Sequence, residues 1–192
     1  ISTIFEKGKT NLIIGQSGSG KTVFLKCLLG LFETNSGQIF FENSPINLMT
    51  TKERTVLRQE IGMVFQGSAL FDSMTVEENI MFPMQMFTKK DDDEVRERAN
   101  QVIKRVNLIN ANEKYPDEIS GGMKKRVAIA RSISHQPRFL LLDEPTAGLD
   151  PVKTNMIFNI ISTLCKEFNI TMLAVSSDVK SALKHFREFI VI

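Results

Sequence analysis

The segment Gly15–Thr22, which reads GQSGSGKT, is the part of this chain best suited to bind phosphate groups. It matches the pattern G-x-x-x-x-G-K-[ST], follows a predicted strand over Asn11–Gly15 and precedes a predicted helix over Lys21–Leu31. Glycines let such a loop curl so that backbone N–H groups and the helix N-terminus face phosphate oxygens. We expect Lys21 to contact the β- and γ-phosphates of a nucleoside triphosphate, and Thr22 to offer its hydroxyl to Mg²⁺. The predicted phosphate-binding residues are Gly15, Gln16, Ser17, Gly18, Ser19, Gly20, Lys21 and Thr22.

A second segment supplies two carboxylates. The apolar run Arg138–Leu142 predicts a buried strand, and Asp143 and Glu144 follow it directly. Asp143 would hold Mg²⁺ through water, and Glu144 would act as the general base that polarises an attacking water. A strand that ends in Asp-Glu is weak evidence alone. It becomes specific here because it follows a P-loop and precedes PTAGLD at Pro145–Asp150.

A third segment, ISGGMKKR at Ile119–Arg126, places bare glycines at the start of a helix. Ser120 is a suitable N-cap for a helix predicted over Gly121–Ser134. Exposed glycines at a helix N-terminus make an anion-binding site. Such a site has little use within its own subunit, so we expect it to act mainly across a dimer.

In this order, the three segments resemble the nucleotide-binding domain of ATP-binding cassette (ABC) proteins, over about Ile1–Ile192. The resemblance implies that Ser120, Gly121 and Gly122 form the signature motif, which faces the γ-phosphate held by a second copy. Two ATP molecules would then lie between two head-to-tail subunits. It also implies that Ala147–Asp150 forms the D-loop and meets the partner copy.

Gln66, which follows the apolar run Ile61–Phe65, matches the Q-loop of that family. The resemblance implies that its amide contacts Mg²⁺ or the attacking water, and that Gly67–Phe71 senses a transmembrane partner. An ordinary surface glutamine is the alternative. The expected cofactors are ATP and Mg²⁺, and the expected metal-binding residues are Thr22, Gln66 and Asp143.

Ser177 is the clearest departure from the family pattern, which has a switch histidine at this position. A serine hydroxyl cannot span the gap that an imidazole spans. His185 lies eight residues later, about 12 Å along a helix, and is a poor substitute. We therefore expect a working but slow enzyme with Glu144, Gln66 and Ser177 as its catalytic residues. The family also stacks adenine on an aromatic residue of a strand that precedes Ile1, and we expect the chain to be truncated at both ends.

The stretch Gly62–Met84, together with Ser120–Met123, resembles the ATPase subunit of Mla-type phospholipid transporters of bacteria. That resemblance implies an integral-membrane permease dimer, a lipid-binding periplasmic component and a position at the cytoplasmic face of the inner membrane. Five apolar residues could form a permease-facing groove, although burial in a helical core is equally expected for them. They are Met81, Phe82, Met84, Met86 and Phe87.

The length and net charge of the chain limit which classes of protein it fits. With 192 residues and a net charge of +2, it fits one domain and does not suit a nucleic-acid-coating surface. Alternating strands and helices predict an α/β fold with a mostly parallel sheet covered on both faces. The resemblance to ABC proteins implies a P-loop NTPase fold, with a RecA-like core over 1–70 and 137–192 and an inserted helical ABC subdomain over 71–136. Ser36–Phe41 predicts a further strand and Val179–Phe186 a further helix.

The sequence is also compatible with two other functions. The chain could be the ATPase of a different ABC importer or exporter, with another permease and substrate. It could instead be an ATP-gated dimerisation module with weak hydrolysis, as Ser177 suggests, although Glu144 argues against a dead site. A P-loop kinase would not explain Ser120–Gly122 or the D-loop pattern.

Overall fold

A computed structural model describes residues 2–186 and 188–192 and has an α/β architecture, as the sequence predicts. In chain order, the strands are β1 (Thr10–Ile14), β2 (Phe40–Phe41), β3 (Ser44–Pro45), β4 (Ile61–Val64), β5 (Phe139–Asp143), β6 (Thr171–Ser176) and β7 (Glu188–Val191). The helices are α1 (Lys21–Leu28), α2 (Thr51–Gln59), α3 (Val76–Phe87), α4 (Asp92–Arg105), α5 (Gly121–Ser134), α6 (Pro151–Glu167) and α7 (Val179–Ala182).

The main sheet has five strands in the order β4-β5-β6-β1-β7, and every neighbouring pair is parallel. The register places Leu12 opposite Ala174 and Leu142 opposite Ala174 from the other side. Parallel strands direct their carboxyl ends to one edge of the sheet, and ligands bind beyond that edge in open α/β folds. The segments that follow β1, β4, β5 and β6 therefore meet at one edge.

Successive residues of the central strands pack on opposite faces of the sheet. Leu12 and Ile14 belong to a large apolar core beneath α3, α4, α5 and α6, whereas Ile13 belongs to a smaller core beneath α1 and α2. The sheet is thus covered on both sides, which explains why its strands are nearly continuous apolar runs. This packing fixes the positions of the polar residues at the strand ends.

Helices α3, α4 and α5 form the connection between β4 and β5 and pack on one another. Thr75 caps α3 in a capping box with Glu78, and Asp91 caps α4 by accepting from the Glu94 N–H at 2.9 Å. The acidic run Asp91–Glu94 therefore lies at the start of α4, where the helix dipole favours negative charge. The boundaries proposed at 70/71 and 136/137 stay predictions.

One predicted strand and two predicted helices are longer than the corresponding elements of the structure. The strand expected over Ser36–Phe41 is only β2, because it pairs with just two residues of a hairpin partner. Helix α1 ends at Leu28, beyond which the Leu31 N–H turns back to the Lys26 carbonyl at 2.9 Å. The helix expected over Val179–Phe186 ends at Ala182, after which the chain turns and Phe186 packs edge-on against Phe158.

The apolar residues of α3 divide between the two roles proposed for them. Met81 and Met84 are buried in the larger core and cannot line a docking groove, which corrects that part of the prediction. Met86 and Phe87 are exposed, at 61% and 44%. Among the described residues, no helix combines the length and apolar character that a membrane span requires.

Candidate nucleotide-binding and catalytic site

The loop between β1 and α1 wraps around the ammonium group of Lys21. The Lys21 Nζ donates to the carbonyl oxygens of Gly15 and Gln16, both at 2.9 Å, and the side chain is buried. Gly20 adopts a φ of 94°, a conformation that favours glycine, and lets α1 begin directly at Lys21. A Cβ on Gly15 would lie 2.4 Å from the Ile192 carbonyl oxygen, so the loop also needs glycine at this close approach.

Thr22 and Asp143 meet at the carboxyl edge of the sheet. The Thr22 hydroxyl donates to Asp143 Oδ1 at 3.0 Å, although the two residues lie 121 positions apart. Burial raises the pKa of the Asp143 carboxyl, and the hydrogen bond from Thr22 opposes that rise. A hydroxyl and a carboxylate are hard oxygen donors of the kind that Mg²⁺ prefers, and a cation here would compensate a buried carboxylate. The residues present therefore fit the expected metal.

Both carboxylate oxygens of Glu144 have a partner within the chain. Its Oε1 lies 3.5 Å from the Lys21 Nζ, and its Oε2 accepts a hydrogen bond from the Ser177 backbone N–H at 3.0 Å. Its own N–H donates to the Val175 carbonyl at 3.0 Å. Glu144 has a φ of 47°, which costs conformational energy for a residue with a side chain. These contacts hold the carboxylate in one orientation beside Lys21.

Ser177 contacts Glu144 through its backbone N–H and not through its hydroxyl. It directly follows β6, whose last residue Ser176 accepts from the Asp178 N–H at 3.1 Å. His185 lies elsewhere, with its Nε2 3.2 Å from Asn155 Oδ1 and its ring centroid 5.2 Å from that of Phe158. This geometry agrees with the expectation that His185 is a poor substitute for the switch histidine.

Gln66 has an exposed side chain, and its backbone carbonyl accepts a hydrogen bond from the Nζ of Lys125. Lys125 is 7% exposed and was not among the predicted site residues. Burial lowers the pKa of its ammonium group, and the negative charges of Asp143 and Glu144 oppose that shift. The sequence pattern indicates that Lys125 is buried, because it lies on the same face of the helix as the apolar residues Ala128 and Ile129.

The signature residues lie at the solvent-accessible start of α5. Ser120 caps α5 by accepting from the Met123 N–H at 3.3 Å, as predicted from the sequence. A Cβ on Gly121 would meet nothing within 4 Å, and one on Gly122 would meet only the Lys153 Cδ at 3.6 Å. Among the described residues, no hydrogen bond or ion pair links these three positions to Gly15–Thr22. One chain thus assembles Lys21, Thr22, Asp143, Glu144 and Ser177, but it leaves the signature outside.

A family model described as "ABC transporter" matches residues 1–147. The chain belongs to the ABC transporter family. It is 38% identical over 175 residues to the "probable ribonucleotide transport ATP-binding protein mkl" of Mycobacterium leprae, covering 91% of this chain and 50% of that protein. It is 39% identical over 174 residues to the "methionine import ATP-binding protein MetN 2" of Bacillus cereus, covering 91% and 51%. The chain therefore spans about half the length of these relatives.

Solved structures agree with this ABC cassette in fold. The dimeric structure of MJ0796, described as a bacterial ABC transporter cassette, superposes with a TM-score of 0.90 at 29% identity, over 99% of this chain and 83% of that one. The same protein in a post-hydrolysis state bound to ADP and Pi gives a TM-score of 0.89. The cbiO1 protein of Clostridium perfringens, part of the cbiONQ transporter complex, gives 0.90 at 33% identity, over 100% and 76%. The fold is that of an ABC ATPase cassette with a helical subdomain.

Proposed function

We propose that this chain is the ATP-binding and ATP-hydrolysing subunit of a membrane transporter. The observation that carries the proposal is the position of Glu144, which lies between the Lys21 ammonium and the Ser177 N–H and beside the Thr22–Asp143 pair. Phosphate-binding, metal-binding and proton-accepting groups thus come together at one edge of the sheet. Each belongs to a segment that the family uses for the same step.

Lys21 must change partners when a nucleotide arrives. Its three N–H donors now face two loop carbonyls and the Glu144 carboxylate. Phosphate oxygens compete for those donors because charge-assisted hydrogen bonds are stronger than bonds to neutral carbonyls. The exchange releases one oxygen of Glu144 while the Ser177 N–H keeps the other. A free carboxylate oxygen in a fixed orientation is what a general base requires.

Thr22 and Asp143 would hold Mg²⁺, which supplies charge stabilisation to the phosphates when it is bound. Gln66 would approach the same site from the loop after β4, and Glu144 would accept the proton of the attacking water. In this chain Ser120, Gly121 and Gly122 would complete the site of a second copy, with two ATP molecules between head-to-tail subunits. The open space around Gly121 and Gly122 supports this arrangement.

Calorimetric titration with MgATP, combined with a phosphate-release assay, tests the proposal. Lys21→Ala should weaken binding by at least about 10-fold, since it removes charged hydrogen bonds to phosphate. Lys52→Ala, which removes an exposed lysine of α2, serves as the matched control and should bind normally. Unchanged affinity in Lys21→Ala would contradict the P-loop assignment, and absence of turnover in the wild-type chain would contradict hydrolysis.

We propose further that the transported substrate is a phospholipid, that the chain attaches to a permease dimer with a lipid-binding periplasmic component, and that it lies at the cytoplasmic face of the inner membrane. Met123 and the stretch Gly62–Met84 support this, as does the exposed apolar surface of Phe71, Met86 and Phe87. The relatives named above are described by ribonucleotide transport and methionine import. ATPase stimulation in vesicles that contain the permease, by phospholipid compared with methionine and ribonucleotides, distinguishes the three.

An ATP-gated dimerisation module is the second candidate, and Ser177 is the observation that favours it. Light scattering and phosphate release on the same sample separate the two functions. Dimers that form with ATP and dissociate as phosphate appears support the transport ATPase. Stable dimers without turnover in the wild-type chain would support the module.

A further inference from the structure

The loop that follows β4, residues 65–71, is attached to α5 by two cationic side chains. The Lys125 Nζ donates to the carbonyl oxygen of Gln66. The Arg131 Nη2 donates to the carbonyl oxygen of Ser68 at 2.9 Å, and its guanidinium lies 5.6 Å from the centroid of the Phe71 ring. Both anchors come from the helix that begins with the signature glycines. The loop that carries Gln66 is therefore a neighbour of the signature helix in space.

The loop needs such anchors because its backbone is strained. Ser68 and Ala69 have φ values of 67° and 47°, which are unfavourable for residues with side chains. The far end of the loop is fixed separately, since Asn79 accepts from the Phe71 N–H at 2.9 Å and donates to the Phe71 carbonyl at 3.1 Å. At the near end, next to Gln66, the bond from Lys125 holds the backbone.

Packing alone does not require a charged side chain at position 125. Its side chain is 7% exposed, and burying an ammonium group is costly. Replacing buried charges by well-packed apolar groups often leaves stability unchanged or raises it. Burial lowers the pKa of Lys125, and the negative charges of Asp143 and Glu144 partly oppose that shift. The ammonium thus links the loop to the side of the site where the proton acceptor and the metal-binding carboxylate lie.

We propose that Lys125 is a positioning residue that sets where Gln66 stands relative to Asp143 and Glu144, and that couples this position to the signature glycines. The inference rests on the proposed ATPase function. Lys125 lies three residues after Gly122 on α5, about 4.5 Å along a rigid helix. A second copy that engages the signature and shifts α5 would therefore move Lys125 and the Gln66 carbonyl together.

Lys125→Met removes the ammonium and keeps an apolar stem, whereas Lys125→Arg keeps a cation. Lys104→Met, which changes an exposed lysine of α4, is the matched control. The first readout is amide hydrogen exchange in the nucleotide-free chain. The Ser68 N–H, which donates to the Phe65 carbonyl at 2.9 Å, reports the near end of the loop, and the Phe71 N–H reports the far end.

In Lys125→Met we expect exchange at Ser68 to rise about 10-fold and exchange at Phe71 to stay within about 2-fold, because one charged hydrogen bond is lost locally. The second readout is kinetic. Turnover should fall about 10-fold and more Mg²⁺ should be needed for half-maximal rate, with unchanged affinity for ATP measured without metal. Lys125→Arg should restore both exchange and turnover to within about 3-fold of wild type.

Wild-type exchange at Ser68 in Lys125→Met, or turnover equal to that of Lys104→Met, would overturn the proposal. Equal losses in Lys125→Arg and Lys125→Met would overturn it as well, since a cation would then be irrelevant. If Lys125→Met does not fold, Lys125→Gln carries the same comparison. If the wild-type chain hydrolyses no ATP, the proposed function fails, but the exchange experiment still decides whether Lys125 positions the loop.

Discussion

At the scale of single residues, the site depends on how Glu144 is oriented. Its φ of 47° and its two carboxylate contacts direct the side chain between Lys21 and the Ser177 N–H. The strain is local and is balanced by the β6 backbone, because the Glu144 N–H bonds to the Val175 carbonyl. Strain of this kind concentrates at functional sites, where the surrounding structure holds it.

Glu144→Gln keeps the shape of the side chain and its acceptor for the Ser177 N–H but cannot take up a proton. We expect turnover to fall by about 10²-fold or more, as for loss of a general base, while MgATP binding persists and ATP-bound dimers accumulate. Phosphate release and light scattering measure the two effects. Glu113→Gln, at an exposed position, is the control. Near-normal turnover in Glu144→Gln would mean that another group is the base.

Ser177→His tests the departure from the family pattern. The Glu144 carboxylate is bonded to the backbone N–H of residue 177, which any residue except proline supplies. The substitution should therefore keep Glu144 in place and add a donor, raising turnover clearly, at most by about 10²–10³-fold, with ATP affinity little changed. Ser177→Ala should lose little for the same reason. A strong loss in Ser177→Ala would show that the hydroxyl acts directly, and no gain in Ser177→His would remove the defective-switch interpretation.

At the scale of elements, the capped starts of helices fix the position of several candidate site residues. Ser120 caps α5, and Asp150 caps α6 with Pro151 in the first turn, so one helix begins at the signature segment and the other directly after Pro145–Asp150. At the opposite end of α5, a buried polar side chain lacks hydrogen-bond partners within the described part of the chain. There His135 has both ring nitrogens buried with no hydrogen-bond partner among the described residues, and its ring lies 5.7 Å from that of Phe87.

Burial lowers the pKa of His135 to about 4. The unfolded chain therefore binds this proton at a higher pH than the folded chain, and the free energy of unfolding should fall as pH decreases from about 6.5 to 4. The loss attributable to His135 is about 3 kcal/mol at most. Urea unfolding at pH 7 and pH 5 should show a smaller pH dependence in His135→Leu than in wild type. The same dependence in both would contradict a neutral, buried imidazole.

At the scale of the whole molecule, the sheet order brings Lys21, Thr22, Asp143, Glu144 and Ser177 together, and no hydrogen bond or ion pair among the described residues joins the signature segment to Gly15–Thr22. The segments after β1, β5 and β6 meet because these strands are neighbours in one parallel sheet. Gly121 and Gly122 begin α5 with open space above them. Under the proposed function, a second molecule would complete the site; the MJ0796 cassette, which this chain resembles in fold, was solved as a dimer.

Gly122→Asp tests this requirement in a way that separates folding from assembly. Within one chain a Cβ at Gly122 meets only the Lys153 Cδ at 3.6 Å, and an acidic residue in the first turn of a helix is stabilising. The thermal midpoint and monomer ATP binding should therefore be unchanged or improved. ATP-driven dimerisation and hydrolysis should be lost, because a negative charge would face the γ-phosphate of the partner site. Normal dimers by light scattering would contradict the head-to-tail arrangement.

The sequence by itself determined what depends on near neighbours along the chain. The glycine pattern before Lys21, the Ser120 cap and the Asp150–Pro151 helix start all act within a few residues, where backbone geometry and side-chain hydrogen bonds follow directly from residue type. Apolar runs also located β1, β4 and β5 of the main sheet to within a residue. The resemblance to ABC proteins added the roles of distant segments, because the order of the segments along the chain is visible in the sequence.

Only the tertiary structure decided which residues meet across the sheet. The Thr22–Asp143 bond, the Ser177 N–H on Glu144 and the Lys125 bond to Gln66 join residues 121, 33 and 59 positions apart. It also decided that Met81 and Met84 are core residues while Met86 is exposed. Periodicity identifies a strand or the face of a helix, but it does not specify strand order or which helix covers which face. Those depend on the packing of the whole apolar core, and therefore on contacts between segments far apart in sequence.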